Sequence, residues 1–212
     1  HSEGAYRDVP GFLESQHRVT NADDAEAWLA RLSAFAGALD QNTERLKEEA
    51  AMGVVPPAFL LDLALPQMRR LRATPAGETV LVAALTRKAV AANVAGDWGG
   101  RALAIVESQV FPALDRQIAA VTALRANATM DAGVWKLPEG TAYYDAAVKS
   151  STTTNYTAEE VHQLGLAQVA DISAQLDVLL KGQGLTQGTV GQRLVALNER
   201  PDQTYPNTDA GR

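Results

Sequence analysis

Apolar residues in this 212-residue chain recur with the period of an α-helix over nearly its whole length, and no useful run alternates with the period of a strand. After Asn21-Ala22-Asp23-Asp24, which reads as an N-cap with acidic residues in the first turn, Trp28, Leu32, Phe35 and Leu39 follow at spacings of four, three and four. Leu103, Val106, Val110, Leu114, Ile118, Val121 and Leu124 form a second stripe, interrupted by Pro112, where a kink is expected. Val161, Gly165, Val169, Ile172, Leu176 and Leu179 form a third, opened by Thr157-Ala158-Glu159-Glu160, which has the spacing of a capping box. Further helices are expected after Pro56-Pro57, over Thr79 to Asn93, over Ala142 to Lys149 and near Thr189 to Asn198. The fold class is therefore all-α, an irregular array of mostly antiparallel helices on short connections. It reads as one helical domain or fragment over 1–212, with a possible division into a bundle over 1–130 and a loop with long helices over 131–212.

Composition removes several chemistries. With 19 Lys+Arg against 25 Asp+Glu the formal charge is −6, which excludes a nucleic-acid protein built on a general basic field. There is no Cys, so disulfides, thiolate nucleophiles and Cys-based metal sites are out. The histidines are His1, His17 and His162, and none stands in an H-E-x-x-H arrangement. Phosphate-binding glycine motifs and the G-x-S-x-G elbow are missing too. The longest mostly apolar stretch, Met52 to Leu65, holds two prolines and Asp62 and is too short to span a bilayer. His1 to Pro10 lacks the apolar core of a signal peptide, and an initial His in place of Met reads as a trimmed start.

Two groups of residues could carry a function. Tyr143 and Tyr144, with Trp135 and the Thr152-Thr153-Thr154 run, form an aromatic and hydroxyl cluster able to line a groove for a peptide or small polar ligand. Glu159 and His162 stand three apart on one helix face, the half-site of a di-iron bundle, but a single copy is not a site. The bland readings are that adjacent tyrosines divide between core and surface, and that His162 packs locally.

Several phrases resemble the bacterial domain of unknown function 885 family. They are Asp24-Ala25-Glu26-Ala27-Trp28-Leu29-Ala30-Arg31-Leu32, Leu39-Asp40-Gln41 and Gly53-Val54-Val55-Pro56-Pro57. Two more follow, Leu137-Pro138-Glu139-Gly140-Thr141-Ala142-Tyr143-Tyr144, and Thr152-Thr153-Thr154 followed by Thr157-Ala158-Glu159-Glu160-Val161-His162-Gln163-Leu164-Gly165-Leu166. The resemblance implies a large, mostly helical protein, often with export or lipoprotein signals, and a zinc-dependent peptidase activity whose H-E-x-x-x-G-H-like or H-E-x-x-H-like motif lies beyond the matched region. It therefore implies that this chain is the N-terminal to central helical part, one non-catalytic wall of a substrate cleft, with no catalytic or metal-ligating residue of its own and zinc only in the full-length protein. The residues it carries over for substrate binding are Tyr143, Tyr144, Thr153 and His162. The partners implied are the remainder of the same polypeptide and a peptide substrate, in an exported, periplasmic or lipoprotein setting. Apolar helix faces left open by a missing remainder would make the chain self-associate, and Phe59 to Leu71 and Thr79 to Asn93 are the expected owners. The alternative is an independent helical module that binds an extended peptide or small polar ligand through Tyr143, Tyr144 and the threonines.

Overall fold

The computed structural model describes residues 4–211, which contain helices and no strand. The chain divides into two compact units, one through Gly140 and the other from Thr141.

The first unit is built around α2 (Ala22–Ala51), a single helix of 30 residues. Asn21 caps it as its side chain accepts from the Asp24 amide, and the expected stripe turns inward, with Trp28, Leu32, Phe35 and Leu39 at most 1% exposed. Against α2 pack α1 (Ala5–Ser15), α4 (Val80–Ala91), α5 (Trp98–Ile105) and α6 (Phe111–Asn127), while α3 (Ala58–Ala73) lies on α6. Leu81, Leu85, Ala102, Val106, Val110 and Leu114 complete one continuous core. The Trp28 indole N–H donates to the Leu81 carbonyl at 3.1 Å, so the largest core side chain has its polar atom satisfied.

The disturbance that Pro112 makes in the second stripe is resolved by a local change of helix type. Residues Val106–Val110 form a π turn between α5 and α6, and the Phe111 amide donates to the Val106 carbonyl five residues back. Pro112 has no N–H, and in an α-helix its ring would press on the carbonyl four residues earlier; widening the preceding turn relieves both problems without breaking the rod. α1 has no counterpart in the periodicity, because it is short, polar at its start and holds Pro10; it forms by laying Tyr6, Pro10 and Leu13 on the core.

Arginine–carboxylate pairs tie the surface of this unit. Arg101 grips Glu26 at 2.6 and 2.8 Å, Arg116 grips Asp40 at 2.9 and 2.7 Å, and Arg125 grips Asp62 at 2.6 and 3.0 Å. Each arginine holds its partner's carboxyl below the usual range. All are solvent-exposed, so they fix which helices neighbour one another more than they add stability.

The second unit holds α7 (Gly140–Thr152), α8 (Ala158–Gly182) and α9 (Val190–Asn198). α7 runs past Lys149 through Thr152, although hydroxyl competition for the backbone predicts an irregular loop from Ser150; the Thr152 hydroxyl instead donates to the Val148 carbonyl at 2.8 Å, inside the helix. Thr153 then turns the chain at φ 56. The capping box of α8 is complete. Glu160 N–H donates to Thr157 Oγ1 at 3.2 Å, and Glu160 Oε2 accepts from the Thr157 amide at 2.7 Å. α9 packs on the C-terminal end of α8, where Leu180 is 2% exposed and the buried Arg193 guanidinium donates to Asp177 Oδ1. Lys181, and then Arg193, hold the Asp177 carboxyl below its ordinary range.

Candidate functional site

The candidate residues of the second unit lie on α7, in the turn after it and on α8. Tyr143 and Tyr144 are neighbours on α7, 67% and 50% exposed, and neither is divided into the core. Thr153 is exposed in the turn after α7, its hydroxyl donating to the Thr152 carbonyl at 2.7 Å. His162 is exposed in the second turn of α8. Among the described residues no hydrogen bond, ion pair or ring contact joins any two of these four. Trp135 belongs to the first unit, where it is 74% exposed. The Glu159 carboxylate, the other half of the Glu-x-x-His pair, accepts from Gln163 Nε2 at 2.7 Å, and among the described residues no group of three or more His, Asp and Glu could hold a metal ion. His1 lies outside the described residues.

The feature of this unit that periodicity could not reveal is the state of the α8 stripe. Val169, Ile172 and Leu179 are 64%, 54% and 65% exposed, although their spacing is that of a buried face. Leu164 and Val178, on an adjoining side of the helix, are exposed as well. α9 covers only the last turns. The open apolar faces expected on Phe59 to Leu71 and Thr79 to Asn93 are instead mostly closed. Leu61, Leu65 and Met68 of α3 and Leu81, Val82 and Leu85 of α4 are core, leaving Leu63 and Val90 as single exposed side chains. Those two segments find their partners inside the first unit; α8 does not find one on its outer stripe.

The first unit holds a polar cluster that the sequence pattern also hides. His17, 6% exposed, lies between the end of α1 and α2, its ring 5.1 Å from that of Trp28. Arg31 Nη1 lies 3.0 Å from His17 Nδ1, and His17 Nε2 lies 2.9 Å from the Asp24 carbonyl. A guanidinium has no acceptor, so Nδ1 must accept from Arg31, and Nε2 carries the proton that it donates to Asp24; the ring is the neutral Nε2–H tautomer. Lys88 of α4 spends its three protons on the carbonyls of Leu13, Glu14 and His17 at 3.1, 2.7 and 2.6 Å, with Nζ 5.2 Å from the Trp28 ring centre. By position it reads as a cation suited to the end of its own helix. Here it closes the unpaired carbonyls at the end of α1. A cleft of about 470 Å³ opens beside this cluster, between Glu14, Arg18 and Ala91.

Burial foremost, and the neighbouring Arg31 and Lys88 charges, push the His17 pKa below the ordinary value, against the opposing pull of the Asp24 carbonyl. The unfolded chain, with its histidine near about 6.5, then takes up this proton first. Stability from this site is complete above that value and falls as pH drops toward the lower folded-state pKa. The paired carboxylates of Glu26, Asp40 and Asp62 lose their contributions only in more acid solution. The urea midpoint is expected to fall between about pH 7.5 and 5.5 in the native sequence, and to change less in His17→Gln. Equal slopes in the two proteins would contradict this assignment.

The family model described as "Bacterial protein of unknown function (DUF885)" matches residues 1–212. The chain belongs to this family. A solved structure described as "the putative lipoprotein from Colwellia psychrerythraea" superposes with a TM-score of 0.88 at 28% sequence identity, over 99% of this chain. The chain spans 37% of the length of that protein. No curated protein matches. The whole-chain match to the DUF885 model means that the α8 stripe and the His17 cluster both lie within the region that the family model describes. No helix among the described residues is long and apolar enough to cross a membrane.

Proposed function

We propose that this chain is the helical, non-catalytic portion of a larger metal-dependent peptidase or hydrolase, and that it forms one wall of that protein's substrate cleft. The observation that carries the reading is the outer stripe of α8. Three large aliphatic side chains at helical spacing, more than half exposed, belong against another surface. The Colwellia protein, of which this chain spans 37%, leaves a long stretch of polypeptide to supply one. The remainder of the same polypeptide is the partner proposed, and it would also hold the zinc, for which the described residues offer no ligand set. Tyr143, Tyr144, Thr153 and His162 would then present phenol, hydroxyl and imidazole groups to a peptide substrate; all four are exposed, and among the described residues neither phenol has a hydrogen-bond partner. An exported location agrees with the lipoprotein character ascribed to the Colwellia protein.

The exposed phenols also favour a second reading, an independent helical module that binds an extended peptide without any catalytic partner. One experiment separates the two. This chain and the product of the intact reading frame are each incubated with zinc and a mixed peptide library. Chelator-sensitive cleavage by the longer protein alone is expected, and it should decline when Tyr143→Ala or His162→Ala is introduced there. Cleavage by this chain alone would overturn the proposal, and a reading frame that ends at Arg212 with peptide binding intact would favour the module.

A further inference from the structure

The C-terminal end of α1 is held by two cations that no carboxylate neutralises. Arg31 of α2 reaches it through the His17 ring, with Nη1 3.0 Å from Nδ1, and through the Phe12 ring, whose centre lies 5.8 Å from the guanidinium carbon. Lys88 of α4 reaches it through the carbonyls of Leu13, Glu14 and His17. All of these acceptors are neutral, and among the described residues neither cation is ion-paired with a carboxylate. The carboxylates at hand are engaged elsewhere or face water. That of Asp24 accepts from the Thr20 amide and hydroxyl at 2.8 and 2.6 Å, and Glu14 is exposed. Arg18 in the loop after α1, and Arg87 beside Lys88, add only positive charge. His17 sits among these groups with both ring nitrogens in use, Nδ1 accepting from Arg31 and Nε2 donating to the Asp24 carbonyl at 2.9 Å, and it is 6% exposed. A proton added at Nδ1 turns an acceptor into a donor that faces the donor on Arg31. It also puts a third positive charge beside Arg31 and Lys88, buried and with no anion to receive it.

We propose that α1 is a strap whose end, from Phe12 to Val19, is latched by neutral His17 and released from α2 and α4 when His17 takes up a proton. His17 lines the open cleft beside Glu14, Arg18 and Ala91, so water there can take the charged ring. Moving Arg31 alone would not relieve the site, because the imidazolium would stay beside Lys88, whose ammonium bonds the His17 carbonyl at 2.6 Å. Release carries the three carbonyls away from Lys88 and uncovers Leu13 and Val19, both buried in the closed form, together with the side of the Trp28 ring that His17 covers. Tyr6 and Pro10 are buried at the other end of α1 and anchor it there. Among the described residues of the first unit His17 is the one histidine, and so the one side chain whose ordinary pKa lies between pH 5 and 7.5. Asp24, held below its ordinary range by the Thr20 hydroxyl and amide, stays charged throughout that interval. The strap belongs wholly to the first unit, and the proposal stands independently of the function assigned to the second.

The urea midpoint reports the whole unit, whereas amide hydrogen exchange reports the strap. Between about pH 7.5 and 5.0, after correction for the intrinsic pH dependence of exchange, protection of the Leu13 to His17 amides is expected to fall at least about tenfold. The released histidine takes its proton near the ordinary value of about 6.5, and the latched one only below it. At every pH these amides should be less protected than Leu81 to Leu85 of α4, and their exchange should hardly respond to dilute urea, the mark of an opening that exposes little surface. His17→Asn offers Arg31 an oxygen near the place of Nδ1 and does not titrate, so its protection should change less than about twofold over the same interval. His17→Gln is the second variant should the shorter side chain fail to close the strap. The His17 ring nitrogens, followed by NMR in the native protein, should titrate together with the loss of protection. A ring that takes up its proton while Leu13 to His17 stay protected would show Arg31 moving in place of the strap and would overturn the proposal. Protection and urea dependence equal to those of Leu81 to Leu85 would overturn it too, since α1 would then open only with the whole unit.

Discussion

Trp28→Ala is expected to destabilise the first unit by about 3–5 kcal/mol, a large part of the total of a domain this size. Trp28 is fully buried in the second turn of α2, so its removal leaves a cavity among residues that cannot collapse into it without shifting α4. The loss goes beyond volume. The Leu81 carbonyl gives up the indole hydrogen bond, Lys88 loses the ring beneath its ammonium, and His17 loses the ring beside its own. The end of α1 is therefore weakened by a substitution in α2. Trp28→Phe keeps an aromatic ring and gives up the indole N–H, and its expected cost is smaller, about 1–3 kcal/mol. Urea midpoints of the three proteins check the order, and a Trp28→Ala cost below about 1 kcal/mol would show that the α2–α4 junction is not the centre of the unit.

The second large effect depends on what surrounds the chain. Ile172→Gln with Val169→Gln places good helix formers at two exposed positions, so in this chain alone the change in stability is expected to stay within about 0.5 kcal/mol. Self-association at high concentration and binding of an apolar dye should both decline, because the outer stripe of α8 is the surface responsible. In the intact protein the same pair is expected to cost about 2–5 kcal/mol, since there the side chains would be core and the amides would be buried without partners. A variant that is equally harmless in both proteins would leave the stripe without a partner of its own polypeptide.

How much of this could be read beforehand follows from what periodicity measures. The α2 stripe, the Asn21 cap and the Thr157–Glu160 box are local signals, each contained in one turn or one face, and each is present as written. Pro112 marks a disturbance, but the choice of a π turn over a kink depends on how α5 and α6 must both face α2, which no local window contains. α1 escapes because it is short, holds Pro10 and buries only Tyr6, Pro10 and Leu13, too few to make a stripe. The role of Lys88 is not legible in a local window, its carbonyl partners lying more than 70 residues earlier. The α8 stripe shows the deepest limit. A helix of this spacing carries an apolar face whether or not a partner is present, so Val169, Ile172 and Leu179 look no different in sequence from Leu81 and Leu85, which are buried.

Amide hydrogen exchange along α8, in this chain alone and in the protein encoded by the intact reading frame, tests most directly whether this is one wall of a larger structure. Exchange between about Leu166 and Leu179 is expected to be fast in the chain alone, where the helix has an open apolar stripe, and slowed by at least about tenfold in the longer protein, where a second surface would hold it closed. The Leu81 to Ala89 segment of α4, already buried, serves as the internal reference and should differ little between the two. Equal exchange of α8 in both proteins would contradict the account.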